Sequence, residues 1–584
     1  MAILGVDVGG TFTDAVLLAD GTLHTAKVPT RPAQEESVIE AARLVLEAAD
    51  EPGVERFAHG TTVATNALLE RKGARTAFVA TEGFEHLLHL RRQNRAHLYR
   101  LEVDHPEPLV ALERCLGVRE RIGPDGVVTP LALETLPDVD AEAIAVCLLF
   151  AFRDPSHERA VAAELRRRYP QAHVVASHEI APELREYERA STTAIDAYLG
   201  PVVARYLRAL GGAARDAGLP EPLVMRSSGG VATIDEAAAH PALILVSGPA
   251  AGVVAAERIA ALAGVDDAIA FDMGGTSTDV CLVAGGRAGR ADERVVAGFP
   301  VRVPMIDVHT VGAGGGSIAW RDSGGALRVG PRSAGASPGP ACYGLGGTEP
   351  TVTDANLLLD RLPAGLPGEL ELDRDAARWA LGDLDAADVV RVVNAEMLRA
   401  LRVVSVEQGH DPCGFALVAF GGAGPLHACA LAEELGSTRV LVPAAAGVLS
   451  AVGLVASDER RDHVRSYVAP LRDAGDLPEA GEASLRYRGQ SFELSVPLGA
   501  ELEERFHRAH EERYGYADRG RVVELVTVRT ADVREGPPVE LRATERRRLS
   551  GPELVVLEGA TCWVPDGWAG ETDRHGTLSL ERVR

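Results

Sequence analysis

A duplication limits the folds open to this chain more than any other feature. GVDVGGTFTDAVLL begins at Gly5 and AFDMGGTSTDVCLV begins at Ala270. Aligned, Asp7 falls on Asp272, Gly9 and Gly10 on Gly274 and Gly275, Thr11 on Thr276, Thr13 on Thr278 and Asp14 on Asp279. Each copy reads as an apolar strand ending in aspartate, a two-glycine turn and a second apolar strand. One copy alone fits a plain hairpin turn as well as it fits a site; two matched copies between apolar strands point to a built site. Glycine lets the turn come close to another group. Backbone N–H groups and threonine hydroxyls can then donate to phosphate oxygens. Gly9, Gly10, Thr11, Thr13, Gly274, Gly275, Thr276 and Thr278 are the expected phosphate-binding residues. An aspartate is repelled by phosphate. Asp7 and Asp272 are therefore expected to hold Mg²⁺, through water, and to be the catalytic carboxylates. Two such loops facing each other would clamp a triphosphate across a cleft.

Composition narrows the alternatives. At 584 residues the chain exceeds one hydrophobic core and implies two or three domains. A formal charge of −24 disfavours nucleic acid and anionic membranes as partners. Aromatic residues make up only 4% of the chain, which argues against a surface of stacked bases. Lys27 and Lys72 are the only lysines, and no GxxxxGK[ST] run exists, which excludes a P-loop. Seven cysteines without a CxxC argue against a disulfide framework or structural zinc. MAILGVDVGG lacks the basic start of a signal peptide, and the longest apolar run, Ala143 to Phe152, is short of a membrane span. A cytoplasmic location is expected.

Alternating strands and helices predict an α/β lobe over 1–187 and a second over 188–462, which contains the second hairpin. Helices are expected near Glu35 to Ala49, Arg189 to Leu210 and Asp373 to Gln408. After 463 the texture changes to short polar-flanked strands, read as a β-rich C-terminal domain over 463–584.

The paired hairpins resemble the ASKHA superfamily of sugar kinases, chaperone ATPases and actin. That resemblance implies two ribonuclease-H-like lobes with ATP in the cleft. It also implies a late glycine-rich turn holding adenosine, which FGGAGPLH (420–427) fits through Gly421, Gly422, Ala423 and Gly424. Longer runs resemble the hydantoinase A / 5-oxoprolinase family: HGTTVATNALLERKGA (59–74), SGPAAGVVAA (247–256), DVHTVGAGGGSIAW (307–320), GHDPCGFALVAFGGAGPLHA (409–428) and YRGQSFEL (487–494). The resemblance implies an enzyme that uses ATP to phosphorylate an amide or carbonyl oxygen, acting in an oligomer with a separate B-type subunit. Its substrate would be a cyclic amide such as a hydantoin, 5-oxoproline or another lactam; acetone-type carboxylation is the alternative. A non-catalytic ATP switch is disfavoured, because no helical lid follows the ATPase region. The family's QSNGG-like run is here RSSGG (226–230), and its NPxHE is DPSHE (154–158).

Other residues have two readings each. Thr61, Thr62 and Asn66 could bind substrate in the cleft or cap the helix that follows. Asp307 and His309, two apart, would share one face of a strand and form a metal pair or a hydrogen-bonding pair. Arg92, after EGFEHLLHL, could grip a carboxylate or end a solvated helix. Gly312 to Gly316 are expected to approach nucleotide or substrate closely.

Overall fold

A computed structural model describes residues 2–10, 12–366, 370–537 and 546–583. Its order begins with the first hairpin, Ala2–Val8 and Phe12–Ala19, extended by Thr22–Pro29. Alternate residues of this hairpin enter different cores. Leu4, Val6, Val8, Ala15 and Leu17 face one core, and Ile3, Val16 and Leu18 face the other. Both faces of the sheet are covered by helices, so the strands read as nearly continuous apolar runs.

Val54–Thr61 joins parallel to Ala2–Val8, and the sheet continues through Leu223–Met225, Val231–Ala232, Glu459–Pro470, Val523–Arg534, Glu482–Tyr487 and Leu494–Pro497. A second, parallel sheet is ordered His173–Ala176, Ala143–Cys147, Thr76–Thr81, Cys115–Val118. The 31-residue helix Glu186–Asp216 packs on this sheet and also against the helix Gln34–Ala48.

The second hairpin, Ala268–Met273 and Thr278–Ala284, anchors a third sheet. Ala416–Phe420 lies parallel to Ala268–Met273, then come Arg439–Val442, Leu578–Arg582, Trp568–Thr572 and Arg548–Ser550. This is the duplicated, two-lobed α/β core expected of the actin-like fold. Its halves meet where the helix Leu449–Ala456 lies between the helix Ser247–Leu262 and the strand Ala2–Val8. Small residues permit the crossing: a Cβ on Gly453 would stand 1.9 Å from the Ala251 carbonyl oxygen, and one on Gly5 would stand 2.5 Å from that of Ala451.

The expected boundaries at 187/188 and 462/463 do not fall between sheets. Leu223–Met225 and Val231–Ala232 belong to the first sheet, and 462/463 lies inside the strand Glu459–Pro470. The β-rich tail is divided between lobes. Its strands up to Arg534 extend the first sheet, and Arg548–Ser550, Trp568–Thr572 and Leu578–Arg582 extend the third. Added strands cover sheet edges that would otherwise present unpaired backbone groups. The helix expected over Asp373 to Gln408 is two helices, Arg374–Leu381 and Ala386–Val404, parted at Gly382 with φ 55°.

Candidate functional site

The two hairpins are the same object built twice. Asp7 pairs with Asp14 across the first, and Asp272 with Asp279 across the second. Each turn is closed by an equivalent bond: Gly9 N–H donates to Phe12 O at 2.9 Å, and Gly274 N–H to Ser277 O at 3.0 Å. The equivalence extends to the neighbouring parallel strand. Asp7 lies beside Gly60 and Asp272 beside Phe420, with Gly421 next along the chain. A Cβ on Gly60 would come 2.3 Å from Asp7 Oδ1, and one on Gly421 would come 2.2 Å from Asp272 Oδ1. Each carboxylate therefore rests on a glycine. The sequence carries a second, shorter repeat that marks this cradle, Ala58-His59-Gly60 against Ala419-Phe420-Gly421, each at the end of an apolar strand and followed by a helix. Sequence reasoning singled out the threonines after Gly60 and passed over the glycine itself.

Electrostatics bring the two halves together. Burial pushes the Asp272 carboxyl up to about 8, reinforced by the charges of Asp279, Asp7 and Asp14. Burial pushes Asp7 up to about 7, with Asp14 adding to the shift and Lys27 opposing it. Carboxylates of both lobes thus lie within electrostatic reach. Asp14 is paired with Lys27. Asp279 accepts from Thr310 Oγ1 at 2.5 Å, and its carboxyl is also raised by burial. Asp7 Oδ1 is enclosed without a hydrogen-bond partner. A cluster so short of positive charge fits a bound divalent cation. Among the described residues no three His, Cys, Asp or Glu side chains converge as a direct metal cage.

The turn tips Gly10, Gly275 and Thr276 are exposed and can offer backbone N–H groups to a phosphate. Thr11 lies outside the described residues. Thr13 and Thr278 are fully buried, and their hydroxyls do not serve the cleft. Thr278 Oγ1 donates to Ala313 O at 2.6 Å. Thr30 Oγ1 donates to Gly9 O, so Thr13 Oγ1 donates to Thr30 Oγ1 at 3.0 Å. Both threonines fix the base of their hairpins.

The Gly421–Gly424 turn is bound to the second hairpin, with Ala423 N–H donating to Met273 O at 3.0 Å; Gly422 is exposed and Gly421 has φ 77°. The glycine run at 312–316 closes on the same hairpin. Gly315 N–H donates to Gly274 O at 3.0 Å and Gly316 N–H to Gly275 O at 2.7 Å. A Cβ on Gly314 would stand 2.7 Å from the Gly275–Thr276 peptide. The close approach expected of these glycines is thus made to protein backbone.

Thr61 and Thr62 act locally. Thr61 Oγ1 accepts from Val63 N–H at 3.2 Å, and Thr62 Oγ1 accepts from the Asn66 amide at 3.2 Å. Ser247 Oγ donates to Thr61 O at 3.1 Å. That contact sets the start of the helix Ser247–Leu262 beside the first carboxylate, with Gly248 placed so that a Cβ would be 3.9 Å from Asp7 Oδ1. His59 is fully buried between Val6 O and the Tyr206 hydroxyl, and burial lowers it to about 4. The Val6 carbonyl requires the proton on Nδ1, so the neutral ring serves as a strand-to-helix link.

Asp307 and His309 do not share a strand face. Asp307 lies outside any strand and its N–H is bonded to Gly289 O, whereas His309 pairs opposite Val280. Arg92 makes a two-pronged pair with Glu188, at 2.9 and 2.5 Å. The helix before it is the single turn Leu87–Leu90.

A duplicated two-lobed α/β fold with paired aspartate–glycine cradles defines the class. Family models agree: "Hydantoinase/oxoprolinase N-terminal region" matches residues 3–169 and "Hydantoinase/oxoprolinase" matches 189–463. The chain is 34% identical to the caprolactamase subunit alpha of Pseudomonas jessenii over 97% of its own length and 90% of that protein's. It is 34% identical to 5-oxoprolinase 1 of Arabidopsis thaliana, over 80% of this chain but only 42% of that longer one. The crystal structure of the ATP-dependent caprolactamase from Pseudomonas jessenii superposes with a TM-score of 0.86 at 31% identity, covering 100% of both chains. The nucleotide-free acetone carboxylase structure shares the fold, with a TM-score of 0.77 at 23% identity over 100% of this chain and 99% of that one. This chain belongs to the hydantoinase/oxoprolinase family.

Proposed function

We propose that the chain is the ATP-dependent subunit of a cyclic amide hydrolase, acting on a lactam, hydantoin or 5-oxoproline-like ring with a B-type partner subunit. The observation that carries this reading is the doubled cradle, Asp7 on Gly60 and Asp272 on Gly421, with the exposed turn tips Gly10 and Gly275 beside it. ATP phosphates would bind the turn N–H groups, and the Gly421–Gly424 turn would lie against the nucleoside. Mg²⁺, held through water by Asp7 and Asp272, would neutralise the phosphates as charge moves to the leaving oxygen. Positioning supplies most of the catalysis in such a transfer. The amide oxygen attacks the γ-phosphorus, the bond to ADP breaks, and the resulting imidate phosphate is open to water. Water adds to the ring carbon, the C–N bond breaks with the proton going to the departing nitrogen, and the acyl phosphate left behind is hydrolysed by a second water to carboxylate and phosphate. Raised carboxyls at Asp7 and Asp272 give the empty cleft a reduced negative charge, which eases the approach of an anionic nucleotide.

A second reading is a ketone carboxylase subunit. It is favoured by the 37% identity to the acetophenone carboxylase gamma subunit of Aromatoleum aromaticum, over 77% of this chain and 67% of that one. No helix among the described residues is long and apolar enough to cross a membrane. The test is phosphate release from Mg–ATP by the chain with its B-type subunit, across 5-oxoproline, hydantoins, simple lactams, and ketones with bicarbonate. Turnover stimulated by a cyclic amide and lost in Asp272→Ala supports the hydrolase. Stimulation only by a ketone with bicarbonate moves the assignment to the carboxylase. Absence of both ATP binding and turnover sinks the phosphate-clamp reading.

A further inference from the structure

Between the single turn Leu87–Leu90 and the short helical turn Leu112–Arg114 the chain runs without helix or strand. Connections of this length inside a compact lobe are uncommon and tend to carry function. This one is closed at its base. Arg91 reaches the Pro106 carbonyl, His105 Nε2 bonds to Asn94 O at 2.9 Å, Arg92 is held by Glu188, and His89 Nε2 bonds to Val110 O at 3.0 Å. Gly298 packs against Pro106, and the Arg91 guanidinium lies 5.5 Å from the centre of the Phe299 ring. The base is therefore pinned to other segments, while the tip projects.

The tip carries the wrong residues for water. Leu98 is 65% exposed, Tyr99 87% and Leu101 76%. Single exposed apolar residues are ordinary, but several together on one ordered loop mark a contact surface. Tyrosine and leucine bury apolar area on docking, and tyrosine is enriched among residues that dominate interfaces. The stretch 91–105 has four arginines against two acidic residues, in a chain whose charge is −24. An acidic protein is repelled by anionic lipid, so the local basic character suits a protein face with an acidic rim.

We propose that the tip of this loop, Leu98, Tyr99 and Leu101, is the docking surface for the B-type subunit. The occupant is argued from chain length: the match to 5-oxoprolinase 1 covers 80% of this chain but 42% of that one, so more than half of the single-chain relative has no counterpart here. A separate protein of that kind needs a contact that a fused chain can make covalently. The inference rests on the two-subunit reading above.

The experiment mixes the full chain with the purified B-type subunit from the same source. Complex formation is measured by sedimentation, and amide exchange is followed with and without the partner. The expected result is slowed exchange over 95–103 on complex formation and at least tenfold weaker association for Tyr99→Asp/Leu101→Asp, with the variant's melting temperature and ATP binding kept. Wild-type association without protection, and with equal affinity for the variant, overturns the surface while leaving the partnership intact. A wild-type chain that does not associate overturns the partnership and this inference with it. Loss of self-association alone assigns the loop to a second copy of the chain and overturns the proposal.

Discussion

Gly60 stands so close to Asp7 that a Cβ on the glycine would lie 2.3 Å from Oδ1 of the aspartate, and Gly421 and Asp272 repeat the relationship at 2.2 Å. Ordinary contact begins at 3.4 Å, so any side chain at either position must push the carboxylate aside. Gly60→Ala and Gly421→Ala are expected to keep the fold and to lower ATP turnover by about 10²-fold, the scale on which an ångström of misplacement acts. Gly421→Ala should also lose at least about 1–2 kcal/mol of stability, since its φ of 77° is unfavourable for alanine and its Cβ would stand 2.5 Å from the Met273 carbonyl oxygen. Steady-state phosphate release beside circular dichroism checks both. Unchanged turnover in a folded Gly60→Ala variant would show that the Asp7 position is immaterial.

The raised carboxyls predict how stability depends on pH. The folded pKa of Asp272 is about 8 and that of Asp7 about 7, above the ordinary 3.8. Across that interval the folded chain holds protons that the unfolded chain has released. Stability is then fully present at low pH and declines as pH rises through the folded values. Asp272→Asn cannot ionise and should flatten this decline. Urea unfolding of both proteins in steps from about pH 5 to about pH 9 tests it, and parallel curves would refute the assignment.

The same protons should leave when nucleotide binds. A divalent cation beside Asp7 and Asp272 favours their ionised forms, so Mg–ATP binding near about pH 7 should release protons and tighten as pH rises toward about 8. Titration calorimetry in two buffers of different ionisation enthalpy reads the proton count. Identical heats in both buffers would place the cation away from these carboxylates.

The hairpins were legible because duplication, turn glycines and apolar runs all agree in sequence, and Asp7 and Asp272 occupy equivalent registers. Gly60 was not legible as part of the site. Its role is a long-range contact with Asp7, and nothing local in HGTT separates a cradle from a cap. Thr13 and Thr278 look like phosphate donors in the motif, yet strand alternation turns both inward, to Thr30 and to Ala313. Asp307 and His309 would share one face only of a continuous strand, and the chain leaves the strand at Asp307. The tail read correctly as strands, but its division between two sheets depends on pairings, such as Glu459–Pro470 with Val523–Arg534, that local pattern does not encode.

The crossing of the two lobes depends on Gly453. With a Cβ at this position 1.9 Å from the Ala251 carbonyl oxygen, the obstacle is backbone and cannot rotate away. Gly453→Val is expected to lose about 1–3 kcal/mol, the usual range for overpacking. A urea midpoint equal to wild type would show that the helices Leu449–Ala456 and Ser247–Leu262 separate freely.

Arg92 and Glu188 supply a test between support and substrate binding. The pair is two-pronged, but Arg92 is 45% exposed and Glu188 10%, so solvent screens one end. Arg92→Ala is therefore expected to cost no more than about 1 kcal/mol, and Arg92→Ala/Glu188→Ala to recover part of that by removing the unpaired carboxylate. Because the guanidinium is already committed to Glu188, KM for the cyclic amide should stay within a factor of about two or three of wild type, below 1 kcal/mol of binding. A tenfold rise in KM with stability unchanged would instead place Arg92 on the substrate, which would then have to compete with Glu188 for the same fork of donors.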